Sequence, residues 1–124
     1  MAHVENVSYF TRPAAADLSA KQYFFMQIDS SGNVNVSGDG GVADGVLANK
    51  PSASGRAATL AMNGIMKVEL GGTVTAGDDV ASDSAGKAVV ATTGDVKLGT
   101  CVVGGASGSV GSIRLALENR EALA

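Results

Sequence analysis

The stretch Arg56-Ala57-Ala58-Thr59-Leu60-Ala61-Met62-Asn63-Gly64-Ile65-Met66-Lys67-Val68-Glu69-Leu70 is two alternating runs either side of Asn63-Gly64. Asn-Gly is the preferred pair for a two-residue hairpin turn with both central residues at positive φ. The reading predicts a hairpin in which Met62 faces Ile65. Ala57, Thr59 and Ala61 then lie opposite Leu70, Val68 and Met66 on one face, small against large, while Leu60 meets Lys67 and Ala58 meets Glu69 on the other. The period is two, so the segment reads as strand.

Further strands follow on both sides. Tyr23 to Asp29 is rich in large apolar residues, Ser30 to Asn33 supplies a turn, and Val34 and Val36 alternate with Asn35. Val80 to Ser82, Lys87 to Ala91, Leu98 to Val103 and Ser112 to Leu117 complete the set. Gly occurs 17 times against two Pro, and short Val-bearing runs are broken by Gly, Ser, Asn and Asp. That pattern predicts an all-β domain, a small barrel or sandwich.

A shift of 54 residues lays Asp29-Ser30-Ser31-Gly32 on Asp83-Ser84-Ala85-Gly86, Val36 on Val90 and Gly45 on Gly99. With one residue of gap, Leu60-Ala61-Met62 falls on Leu115-Ala116-Leu117. The expectation is two pseudo-repeated units, each a hairpin, a Gly-led strand and a closing strand, paired about a pseudo-twofold axis around one core. Reuse of one Asp-led turn motif is the plainer explanation, since Asp caps such turns and Gly takes their left-handed position. Residues 1–20 read differently: Arg12-Pro13 and Ala14 to Ala16 break a polar stretch whose aromatics are Tyr9 and Phe10. The expected organisation is an extended N-terminal arm at 1–20, a β-domain at 21–117 and a C-terminal tail at 118–124 with one frayed helical turn.

The core available to 124 residues is thin, because Ala contributes 20 and Val 15 while Phe, Tyr and Trp together contribute five. Ala burial stabilises far less than the roughly 1.5–3 kcal/mol of a Val, Leu or Phe, so assembly is expected to add stability that the monomer lacks. A net charge of -3 with nine scattered Lys and Arg argues against nucleic acid as a partner. No apolar run reaches the roughly 20 residues of a membrane span, and Met1 to Asn6 has no signal-peptide character.

Catalytic chemistry is poorly represented. His3 is the single histidine and falls in the expected arm, where nothing would hold its tautomer, and Cys101 lies in an apolar run as a buried structural thiol. The reading is of no enzyme, with no catalytic, cofactor-binding or metal-binding residue. Gly38 to Gly41 resembles a phosphate loop by composition only, with no helix pattern after it. Asp78, Asp79 and Asp83 are turn caps before they are cation ligands. Ile65-Met66-Lys67-Val68 is similar to the Ala-Met-Lys-Met site of biotinyl-type carrier domains, but Asn63-Gly64 takes the tip that the carrier lysine occupies. Lys67 is therefore read as a solvated strand residue.

The run Val74-Thr75-Ala76-Gly77-Asp78-Asp79-Val80-Ala81-Ser82-Asp83-Ser84-Ala85-Gly86-Lys87-Ala88 resembles the capsid decoration or cement (head-stabilising) proteins of tailed bacteriophages, with their Gly-Asp-x-Val, a later Asp, then Gly-Lys. The likeness continues through Leu98 to Val103 and Val110 to Leu115 and covers roughly residues 40 to 117. The chain departs from the family in lacking an aromatic near Ala81 and in its long leading segment. The resemblance implies a virion protein, made in the host cytoplasm, that binds the outer capsid surface near threefold positions as a homotrimer and ties major capsid protein subunits together. Partner contact is expected at Tyr9, Phe10, Arg12 and Pro13, the aromatics and their flank in the arm. The other readings are a virion fibre-associated or receptor-binding module and, behind it, the carrier domain.

Overall fold

The computed structural model describes residues 2–118 and 120–123. These form ten strands: β1 (Tyr9–Pro13), β2 (Phe25–Ile28), β3 (Val34–Val36), β4 (Gly45–Leu47), β5 (Ala57–Ala61), β6 (Ile65–Glu69), β7 (Asp79–Ser82), β8 (Ala88–Val90), β9 (Gly99–Val103) and β10 (Val110–Leu115). No helix among the described residues is long and apolar enough to cross a membrane. Two five-stranded antiparallel sheets, ordered β1-β5-β4-β2-β3 and β6-β10-β9-β7-β8, make a sandwich-like fold that does not close into a barrel.

Adding five to each strand number of the first order gives the second, so the fold is one unit (β1–β5) followed by another (β6–β10). The turns of the 54-residue shift coincide in detail. Asp29 Oδ1 accepts from the Ser31 and Asn33 N–H groups at 2.9 and 3.0 Å, and Asp83 Oδ1 accepts from Ala85 and Lys87 at 2.9 Å each. Gly32 and Gly86 follow at φ 80° and 86°, the left-handed region that the turn requires. Met26 pairs with Gly45 as Val80 pairs with Gly99. The closing strand departs from the sequence alignment: Leu47 pairs with Leu60 and Cys101 with Ile113, so the counterpart of Leu60 is Ile113 and not Leu115. The register also makes β1 the counterpart of β6, since Phe10 lies opposite Leu60 and Met66 opposite Ile113.

Because each carboxylate holds two backbone N–H groups, Asp29→Ala and Asp83→Ala should each lower stability by about 1–3 kcal/mol. The two variants should shift thermal melting by similar amounts. A large loss at one position and none at the other would show that the turns are not equivalent.

Three expectations are corrected. First, β5 and β6 do not form a hairpin, because β5 pairs with β1 and β4 in one sheet and β6 with β10 in the other. Gly64 takes positive φ but Asn63 does not, and the Asn63 side chain instead accepts the Ser8 N–H at 2.9 Å. The turn is a crossover between sheets. Second, residues 9–18 are no free arm: β1 is an edge strand of the first sheet, and Ala14 and Leu18 are buried. Ahead of β1, Glu5 and Ile65 exchange both backbone bonds at 2.9 Å.

Third, the units do not meet through one shared patch, as a pseudo-twofold would require. Phe25, Val46 and Ala61 of unit one are fully buried in a cluster that continues through Val68, Val80 and Ile113 of unit two. Their counterparts Asp79 and Arg114 are exposed and Thr100 is half-buried. A second, smaller core of Ala14, Leu18, Phe24, Met26, Val34, Leu47, Ala58 and Leu60 belongs to unit one alone. At the seam, Tyr23 stands at φ 73° where unit two has Gly77, and its carbonyl accepts the Glu69 N–H at 3.0 Å. The left-handed conformation costs such a residue about 1–2 kcal/mol, which the cross-unit bond and ring packing offset. The expected helical turn at the C-terminus involves Asn119 and Ala124, which lie outside the described residues; Ala122 makes a bridge to Val96 instead.

Candidate functional site

Tyr9-Phe10-Thr11-Arg12-Pro13 combines β-favouring residues with a charge and a proline, a composition that suits an edge strand. Ser8 O accepts the Met62 N–H at 2.9 Å and the Ala14 N–H donates to Arg56 O at 2.8 Å. With antiparallel alternation between these two pairs, Phe10 and Arg12 turn their backbone groups toward β5, and Tyr9, Thr11 and Pro13 turn theirs outward. Pro13 therefore sits where its missing N–H breaks no bond within the sheet.

The side chains divide by face. Tyr9 is 49% exposed, and the Thr11 and Thr59 hydroxyls beside it are 3.4 Å apart. Phe10 is half-buried against the smaller core, and Arg12 Nε donates to the Gly32 carbonyl at 3.0 Å. The four residues singled out from the sequence thus lie on one strand but not on one surface. Tyr9 is the aromatic that projects; Phe10 already packs into its own fold.

Beside β1 runs a groove of about 450 Å³ along the seam, lined by Phe10, Ile28, Ala43, Met62 and Leu117. Arg120 and Asp44 pair across its rim at 3.0 Å, and the second Asp44 oxygen accepts the Ile28 N–H at 2.8 Å. Sequence reading missed this groove because its lining comes from five separated segments, none of which carries a motif.

The groups considered for chemistry have other work. The His3 N–H donates to Ser112 Oγ at 2.6 Å, and that hydroxyl donates back to His3 O at 3.1 Å, so residue 3 is fixed to the second sheet and not adrift in an arm. Its Nε2 lies 3.3 Å from the Glu5 carboxylate on the surface. Burial pushes the Cys101 thiol up from its ordinary value, with the nearby Asp78 carboxylate adding to the shift, so the reactive thiolate is disfavoured. Lys67 is half-buried in mid-strand with its ammonium 6.0 Å from the centre of the Tyr23 ring, away from any hairpin tip. Asp78 caps the Thr75 N–H at 2.9 Å, Asp79 pairs with Lys97 at 3.1 Å, and Asp83 holds its own turn. The three carboxylates serve separate partners.

No curated protein matches the chain. Among solved structures, the chain is similar to the N base of the head fiber gp8.5 of bacteriophage phi29. The identity is 17% and the TM-score 0.67, with 93% of this chain and 98% of that one covered. At that identity the likeness is one of fold. A family model described as phage cement protein matches residues 5–117, the span from the segment that binds β6 to two residues past the closing strand, and the chain therefore belongs to the phage cement protein family.

Proposed function

We propose that this protein binds the outer surface of a phage capsid and stabilises the lattice of major capsid protein, with three copies gathered about a threefold position. The observation that carries the reading is the family match over residues 5–117. The geometry of β1 supports it: Tyr9 is a half-exposed aromatic on a free sheet edge, flanked by Arg12 and Pro13, and aromatic anchors of this kind often dominate an interface. Phe10 takes part by packing behind the strand and fixing its position. The same chain, lacking a convincing catalytic set, serves as a structural part of the virion and not as an enzyme.

A second reading is favoured by the likeness to the phi29 head fiber N base, namely that the protein is the capsid-seated base of a head fibre. Both readings need capsid binding.

Mixing the purified protein with expanded empty shells of its cognate phage tests this. Co-sedimentation should saturate at a fixed ratio to the major capsid protein, and bound shells should melt at higher temperature, because a ligand of the assembled state stabilises it by mass action. Tyr9→Ala should weaken binding by about tenfold or more. Shells that neither retain the protein nor change their melting would count against the function.

A further inference from the structure

Unit two shows what an edge strand of this fold accepts. Leu115 donates to Gly64 O and Leu70 to Ser109 O, both at 2.8 Å, so Ile65, Lys67 and Glu69 turn their backbone groups away from β10. Two of these outward positions are occupied. Ile65 exchanges both bonds with Glu5 of the extended N-terminal segment, and the Glu69 N–H donates to Tyr23 O.

The counterparts in β1 are Tyr9, Thr11 and Pro13. The outward N–H and C=O groups of Tyr9 and Thr11 make no hydrogen bond among the described residues, and both side chains are exposed. Unit one therefore leaves open at Tyr9 the position that unit two fills at Ile65, while Thr11 and its counterpart Lys67 are alike in lacking a backbone partner among the described residues.

We propose that β1 is a strand-addition edge: an extended segment of a capsid subunit adds to the first sheet, antiparallel to β1, through the backbone groups of Tyr9 and Thr11. This rests on the capsid-binding reading and names its mode of contact. Antiparallel addition follows from the Glu5–Ile65 pairing at the equivalent position. Pro13 limits the added pairing to the Tyr9 end of the strand, since it has no N–H to give. The incoming residue opposite Tyr9 is β-branched or otherwise apolar, to pack on the ring.

Pro13 also disfavours a second copy in the register centred on Thr11. Two β1 strands paired about Thr11 would set Pro13 of each opposite Tyr9 of the other, and both Tyr9 carbonyls would lose their donors. A capsid strand centred on Tyr9, as Glu5 is on Ile65, meets no such gap.

The test is Thr11→Pro beside Thr11→Val, measured by co-sedimentation with expanded empty shells and by thermal melting. The Thr11 N–H points away from β5, so proline removes no bond of the sheet. Thr11→Pro should weaken binding by about 100-fold with melting near that of the wild type, and Thr11→Val should bind like the wild type. Hydrogen exchange on the unmodified protein gives a readout free of folding effects: the Tyr9 and Thr11 amides should exchange fast in the free protein and slowly on shells. Unimpaired binding by Thr11→Pro, or amides that exchange equally fast on shells, would overturn the inference while leaving capsid binding intact. A free protein that dimerises with these amides protected would overturn it in favour of a second copy. Failure of the wild type to bind shells would overturn the underlying function instead.

Discussion

Deletion of residues 1–18 should abolish folding. The deletion removes β1 and with it the pairing of Tyr9 to Pro13 along β5, together with the buried side chains of Ala14 and Leu18 from the smaller core. It also takes the His3 and Glu5 bonds that tie the chain start to the second sheet. Loss of a buried Leu alone costs about 2–5 kcal/mol, and stripping β5 of its neighbour leaves Ala58 and Leu60 facing water. The total, on the order of 5–10 kcal/mol, equals most or all of the net stability of a domain this size. Far-ultraviolet circular dichroism and a thermal scan of the truncated chain would show no cooperative transition. A truncated protein that melted like the full chain would mean that β1 is the dispensable arm its sequence resembles.

Gly64→Ala should have the next largest effect, although it adds one methyl group. Gly64 stands at φ 82°, which penalises any side chain by about 1–2 kcal/mol. A Cβ there would also run into the backbone carbonyl oxygens of Glu5 and Asn6, so the N-terminal segment would have to move off β6. A loss of about 3 kcal/mol or more is expected, a fall in melting temperature of roughly 10 °C. Gly55→Ala is the comparison, because Gly55 has similar φ, 88°, with open space around it, and should lose only the conformational part. Equal melting shifts for the two variants would show that Gly64 occupies an ordinary exposed turn.

These two sites also mark where sequence reading stopped. Asn63-Gly64 was legible as a turn, because Gly at positive φ is a local requirement. The partner of each flanking strand was not legible, since a turn fixes a change of direction and leaves the choice of sheet to tertiary packing. β1 escaped notice because an edge strand needs few apolar residues: its five positions are exposed or half-buried, and Pro13 reads as a breaker. The repeat was visible through Asp29 and Asp83, whose side chains do the same local task in both turns. Its closing strand was misaligned by two residues, a slip that keeps the same side chains on the same face and so leaves the hydrophobic pattern unchanged. The equivalence of β1 and β6 leaves no identical residue in Tyr9 to Pro13 against Ile65 to Glu69 and emerges only from the register.

The asymmetry between the units ties this architecture to the proposed role. Unit one spends its outer face, Phe25, Val46 and Ala61, on contact with unit two, and keeps the β1 edge open. Unit two keeps polar residues at the equivalent face and has its β6 edge occupied at Ile65 by the chain's own start. An aromatic on an edge strand gives a partner strand a place to approach, which fits a protein that sits on a lattice.

A cryo-EM map of expanded shells saturated with the protein would show where it sits and which strand meets the capsid. Density for the ten-stranded fold is expected on the outer surface, three copies around a threefold position, with Tyr9 to Pro13 against the major capsid protein. Decorated particles in which β1 faces solvent, or shells that carry no added density at saturation, would contradict that placement.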